Sequence, residues 1–365
     1  MENTLNYVDW VTPNYNLGEE ALYKVLEQIL AENKLKLFRI TDRIKQKHSQ
    51  TTLIGGGSCL PLIAIYMRPT KYIYVFGSGV MLSGNCDQAL VDRFKSLKCR
   101  FIGVRGNISK KFLEDWGIDS KVIGDPCLQL KPPQILERSS NRIAINIGDA
   151  RAGYSSKSRS KVVKELAKVC HVLKANGYEL ILVPFWKDNI EDIRSLSEEV
   201  HIRIFANWQD IGATMNLLSS CKIFIGEKLH SLVFSAAANT PFIGLAYAPE
   251  HFDFADSVGF SEFTRPTVDV TAEKILELFR DLNNNYEKVQ NMLESFVDEY
   301  REKQRVFAAE ISRDVNSLPD DKWSTQNNYA STVLLRADKQ FYTKTGKIWN
   351  AWNRAVFSPL LPYLI

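Results

Sequence analysis

The chain has 365 residues, 45% of them hydrophobic, with 46 basic and 42 acidic side chains and a formal net charge of +4. That length suits two domains of ordinary size, and the apolar content argues against a disordered chain. The charges form no long block of one sign, so the usual signature of a nucleic-acid binder is missing.

Along the chain, short apolar runs alternate with amphipathic ones. Asn16-Leu17-Gly18-Glu19 carries a capping signal, with Glu19 three residues after Asn16. Ala21, Leu22, Val25, Leu26, Ile29 and Leu30 mark one face of the helix it opens. Strands are predicted at 37–40, 52–54, 72–76, 101–104 and 121–123, with helices at 87–97 and 109–116. The strands at 52–54 and 72–76 run into the glycine loops Gly55-Gly56-Gly57-Ser58 and Gly77-Ser78-Gly79. Residues 131–141 are rich in proline and polar side chains and read as a linker.

Alternation then restarts. Strands are predicted at 143–147, 180–183, 222–225 and 241–247, and helices at 161–175, 190–200, 209–220 and 232–238. From 271 the pattern turns helical, and 289–318 reads as a long helix with an interruption near Gln304. Trp349, Trp352, Val356 and Phe357 form a short amphipathic tail. The tail suits packing on the protein itself or on a partner, with a membrane interface as the competing use.

Strands alternating with helices predict an α/β fold of parallel sheets covered on both faces. The expected organisation is a domain at 1–130, a linker at 131–141, a second domain at 142–270, and C-terminal helices with the tail at 271–365. Two such halves predict a cleft between them, a favoured place for a ligand. The first ten residues lack the basic and apolar segments of a signal peptide, and no run of about 18 apolar residues suits a membrane span. The six cysteines, at 59, 86, 99, 127, 170 and 221, form no Cys-x-x-Cys pair. They read as buried free thiols of a reducing, cytoplasmic compartment.

The chemistry concentrates at Glu227-Lys228-Leu229-His230, directly after an apolar strand ending at Gly226. Open parallel sheets place ligands at that carboxyl edge. A histidine beside a lysine there suits an anionic substrate and a proton transfer, although a hydrogen-bonded structural histidine fits the spacing as well. Glycines 55–57, 77 and 79 permit close backbone approach and can expose amides to an anion. Arg105 and Arg151 follow strand ends, where a guanidinium can grip a carboxylate or phosphate by two bonds. The five histidines show no metal-ligand spacing, so no metal is expected.

The ordered set Asn14-Tyr15-Asn16-Leu17-Gly18, Gly55-Gly56-Gly57, Gly77-Ser78-Gly79-Val80, Val104-Arg105-Gly106 with Ser109, Gly124-Asp125-Pro126, Pro184-Phe185-Trp186 and Glu227-Lys228-Leu229-His230 with Pro241 resembles the polysaccharide pyruvyl transferase family. The succinoglycan ketal-pyruvylating branch is the most similar. The resemblance implies two Rossmann-like domains facing a cleft, as in the GT-B glycosyltransferase architecture, with C-terminal helices. It implies transfer of a pyruvyl group from phosphoenolpyruvate, as donor substrate rather than cofactor, to a sugar of a polysaccharide, glycan or lipid-linked precursor.

On that basis His230 is the expected general acid. Lys228, Arg151 and Arg105 are the expected anion-binding cations, and Glu227, Leu229, Asn16, Gly18, Gly56, Gly57, Gly77, Ser78 and Gly79 line the substrate site. The implied location is the cytoplasm, with peripheral contact at the inner face of the membrane. The chain departs from the family where lysine, at 228, stands for a common arginine, and where Glu250 stands for a common lysine. A nucleotide-sugar glycosyltransferase of the same architecture and a catalytically silent glycan-binding relative are the competing readings.

Overall fold

The computed structural model describes residues 3–8, 15–39, 50–57, 60, 64, 70–80, 88–134, 136–148 and 156–319, without the side chains of Val8 and 156–160. Arg151 and the aromatic tail lie outside the described residues. In the first half the strands are β1 (Asn3–Val8), β2 (Leu35–Arg39), β3 (Thr51–Gly55), β4 (Tyr72–Ser78), β5 (Phe101–Val104) and β6 (Lys121–Val122). They form one sheet in the order β2-β1-β3-β4-β5-β6. In the second half, β7 (Arg142–Asn146), β8 (Glu179–Leu182), β9 (Ile223–Gly226), β10 (Phe242–Ala246) and β11 (Thr264–Pro266) form a sheet in the order β11-β10-β9-β7-β8. Neighbouring strands pair in parallel throughout both sheets. Strands buried on both faces read as continuous apolar runs. Ile143–Ile145 and Ile223–Ile225 are such runs, fully shielded from solvent.

The connecting helices are α1 (Leu17–Ala31), α2 (Gln88–Ser96), α3 (Asn107–Asp115), α4 (Ser156–Ala175), α5 (Ile190–Val200), α6 (Ile211–Ser219), α7 (Leu229–Ala237) and α8 (Pro249–Ser257), followed by α9 (Ala272–Asn284) and α10 (Tyr286–Ser317). The expected interruption of the last helix is absent: α10 runs unbroken for 32 residues. Gln304, which breaks the apolar stripe, is buried, and its side-chain amide donates to Ile123 O at 3.0 Å and Asp125 O at 2.8 Å. Its two amide donors are thus satisfied across the fold, while its Oε1 makes no hydrogen bond among the described residues, and the residue marks a docking point.

The two halves share core. Val289, Leu293, Val297 and Tyr300 of α10 pack with the second half, whereas Phe307, Ala308, Ile311 and Val315 pack with Leu5, Tyr7, Tyr74 and Phe76 of the first sheet. Conversely, Leu17, Ala21 and Leu22 of α1, with Cys127 and Leu128, join the second half's cluster. Asp253 of α8 caps the start of α3, accepting the Ile108 and Ser109 amides at 3.0 and 3.1 Å and the Ser109 hydroxyl at 2.6 Å. These contacts bring the carboxyl ends of the two sheets together. Cys127, Cys170 and Cys221 are buried free thiols, and Cys99 is half-buried.

Candidate active site

Residues 15–18 stitch the first half onto the second. Leu17 N–H donates to Phe185 O at 2.9 Å, Lys187 N–H donates to Tyr15 O at 3.1 Å, and Asn16 forms an antiparallel bridge with Trp186. Asn16 is the N-cap of α1, as its sequence signal predicts, and its Oδ1 accepts the Gly18 amide at 3.1 Å. Gly18 then lies flat against the His230 ring, and a Cβ there would overlap the imidazole. Close approach is why the position needs glycine.

His230 sits in the first turn of α7, immediately beyond β9. The N-cap of α7 is Lys228, whose side chain makes no capping bond. The helix start therefore keeps its partial positive charge for an incoming anion. Asn146, buried at the end of β7, orders this turn. Its Oδ1 accepts the Lys228 amide at 3.0 Å and the Ser231 hydroxyl at 3.2 Å, and its Nδ2 donates to Val183 O at 2.8 Å. The Lys228 ammonium rests over the Trp186 ring, 4.5 Å from its centroid. No carboxylate among the described residues pairs with it.

The His230 side chain is buried, and its Nε2 has no hydrogen-bond partner among the described residues. Burial pushes its pKa well below 6.5, and the charges of Arg105 and Lys228 and the nearby His251 push the same way. The imidazole is therefore neutral at neutral pH.

Arg105, just past the end of β5, is sealed from solvent. Its side chain is 0% exposed, and its Nε donates to Asp125, equally buried, at 3.0 Å. Asp125 also accepts the Cys127 amide at 3.0 Å. Burial raises the Asp125 carboxyl, while Arg105 and the Cys127 amide oppose that rise. Asp125, Cys127 and His230 place donor atoms within 4.8 Å of one another, a grouping no sequence spacing signals. The charge of Asp125 is already matched by Arg105, and burial holds the Cys127 thiol protonated, well above 9.0. We read the group as the packed floor of the site.

The glycine loops brace each other. Gly56 N–H donates to Phe76 O at 3.0 Å and Gly79 N–H to Gly57 O at 2.7 Å, so neither amide is held out for an anion. Gly77, with φ of +67°, packs on Pro126. Ser78 is fully buried, and its carbonyl accepts the Arg105 amide at 3.2 Å. At Gly57, with φ +63°, a side chain would meet nothing within 4 Å among the described residues.

Glu227 also turns inward. Its Oε2 accepts the Gly148 amide at 2.7 Å, while the Gly148 carbonyl accepts Asn189 Nδ2 at 2.6 Å. His251 holds the Glu227 carbonyl at 2.7 Å through Nε2. Glu227 is thus a wall of the site. Leu229, buried, contributes its backbone to the start of α7.

The structure brings Asn16, Gly18, Lys228, Leu229 and His230 to one place, with Arg105 below. Trp186, Asn146 and Asp125 complete it. A buried asparagine ending an apolar strand and an aromatic following another were the available sequence signals for the first two. The ion pair of Asp125 with Arg105 joins residues from different strand exits and carries no local signal.

Solved structures are similar to the chain to different degrees. Medicago truncatula UGT71G1 complexed with UDP-glucose matches at a TM-score of 0.51 and 10% identity, over 87% of this chain and 99% of that one. The glycotransferase of kitacinnamycin matches at 0.49 and 14%, over 87% and 99%. The E. coli ADP-heptose LPS heptosyltransferase II matches at 0.39 and 16%, over 78% and 99%. The likeness to the first of these, together with the two parallel sheets, gives an α/β, GT-B-like fold, consistent with two Rossmann-like domains. No curated protein matches the sequence. The sequence model of polysaccharide pyruvyl transferases matches residues 16–249, from the α1 cap through β10 to the first residue of α8, and the chain belongs to the polysaccharide pyruvyl transferase family.

Proposed function

We propose that this cleft moves the pyruvyl group of phosphoenolpyruvate onto two hydroxyls of a sugar, in a polysaccharide, a glycan or its lipid-linked precursor, to form a ketal. The observation that carries the reading is the placement of His230. Among the described residues, its Nε2 has no partner and lies at an uncapped helix start, beside an ammonium that no carboxylate pairs with. The donor phosphate fits the start of α7 and Lys228, where amides and a cation converge. Arg151 is the cation we assign to the donor carboxylate. The motif likeness to the succinoglycan branch supports a ketal product.

The protonation state of His230 shapes the mechanism. Ketal formation releases a proton from each of two hydroxyls. One ends on C3 of the donor, turning methylene into methyl, and the other leaves with phosphate. A neutral imidazole first accepts the proton of the attacking hydroxyl. The adjacent anionic donor stabilises the imidazolium, which acts as general acid and delivers the proton to C3 while the hydroxyl oxygen bonds to C2. Phosphate then departs from C2, and the second hydroxyl closes the ketal. The scheme uses no cofactor.

No helix among the described residues is long and apolar enough to cross a membrane. We place the reaction in the cytoplasm, with a lipid-linked acceptor reached at the membrane's inner face. His230→Gln should cut turnover by about 100-fold or more while leaving donor affinity nearly unchanged. Near-wild-type turnover in that variant would assign His230 to structure alone. Consumption of a nucleotide sugar in place of phosphoenolpyruvate would favour a glycosyltransferase.

A further inference from the structure

We propose that Trp186 is a positioning residue, whose indole face holds the Lys228 ammonium in place for an anionic group of the substrate. This rests on the reading above that the cleft takes an anionic donor. Trp186 follows β8 and Lys228 follows β9, and in the sheet β7 lies between those two strands. Strands are spaced about 4.8 Å apart, so the two exits are separated by about twice that distance. A long lysine stem and a large ring are what it takes to meet across such a gap. The ammonium lies 4.5 Å from the ring centroid, inside the range of about 6 Å over which a ring face attracts a cation.

Both ends of the contact are fixed by backbone. The Lys228 amide is held by Asn146 Oδ1 at 3.0 Å. Trp186 bridges Asn16 and is flanked by the bonds of Phe185 O and Lys187 N–H to residues 17 and 15. The contact therefore orders the four-carbon lysine stem. A free lysine chain loses considerable rotamer freedom on binding, and pre-ordering removes that cost. A carboxylate in the place of the ring would order the stem too, but would cancel the charge. An indole face orders it and leaves the positive charge for the substrate. A charge-assisted bond to phosphate is stronger than the ring contact, so the ammonium can exchange one for the other.

The test compares Trp186→Phe and Trp186→Leu with the wild type. The KM for phosphoenolpyruvate should rise in the order Trp, Phe, Leu, reaching about fivefold for Leu, with kcat and the acceptor KM little changed. A rise in acceptor KM with donor KM unchanged would make Trp186 a sugar platform and overturn the proposal. The second readout does not depend on turnover. In reductively 13C-methylated protein, the Lys228 methyl resonance is assigned by its loss in Lys228→Arg. Ring current should shift it upfield in the wild type and less so in Trp186→Leu. An unshifted resonance in the wild type would overturn the proposal even if Trp186→Leu fails to fold. A shift lost in Trp186→Leu but untouched by phosphoenolpyruvate would uphold the ring-held lysine and count against the donor reading instead.

Discussion

Gly18 and His230 lie 212 positions apart in sequence and in direct contact in the fold. Because a Cβ at residue 18 would overlap the imidazole, Gly18→Ala must displace either the start of α1 or the ring. Displacements of about 1 Å at a reacting group can cost about 100-fold in rate, and a loss of that order in turnover with a preserved circular dichroism spectrum is the expected outcome. Unchanged turnover would mean that the ring has room to move. His230 and His251 are both buried with pKa values pushed below 6.5 by desolvation, chiefly in His230. The unfolded chain takes up protons at these residues below about pH 6.5 and the folded chain resists, so stability contributed by the neutral rings is present above that pH and lost as pH falls. Urea midpoints should therefore drop between pH 7 and pH 5 by more in the wild type than in His251→Gln. The placement of Lys228 and His230 at a strand exit was legible because they follow an apolar strand. Arg105 carried the same signal and is fully buried against Asp125, since a strand-exit position does not reveal which way a side chain turns.

Among the elements, α10 does the most to connect distant parts. Gln304 holds the carbonyls on either side of Gly124, Tyr300 packs on that glycine at φ +80°, and Arg301 donates to Leu128 O and Leu130 O at 2.8 and 2.9 Å. The helix thereby fixes the turn that carries Asp125, the partner of Arg105. Gln304→Leu leaves two buried carbonyls without these donors and should cost about 2–4 kcal/mol, read from chemical denaturation. A cost near zero would show that α10 holds the turn by apolar packing alone. The strands of both sheets and most helices could be read from periodicity, because buried parallel strands are apolar throughout. The strand β1 was missed because Asn3–Val8 mixes polar and apolar residues, and β11 is only three residues long. The helix α8 was hidden by its mixed composition, PEHFDFADS. The false break in α10 came from reading a buried glutamine as the end of an apolar stripe, when its hydrogen bonds are tertiary.

At the scale of the molecule, the carboxyl edges of the two sheets meet, and the contacts that join them come from far along the chain. Asp253 caps α3 across that meeting, α1 enters the second core, and α10 spans both. None of these long-range pairings has a local sequence signal, whereas the parallel α/β layout does. On the proposed function, this junction binds phosphoenolpyruvate through the start of α7 and Lys228. Calorimetric titration of phosphoenolpyruvate into the wild-type protein and into Lys228→Ala tests it most directly, with a nucleotide sugar titrated alongside. Binding should be saturable in the wild type and weakened by about tenfold or more in Lys228→Ala, as expected for losing a charged hydrogen bond. Equal affinity in the two proteins, or heat from the nucleotide sugar and none from phosphoenolpyruvate, would contradict it.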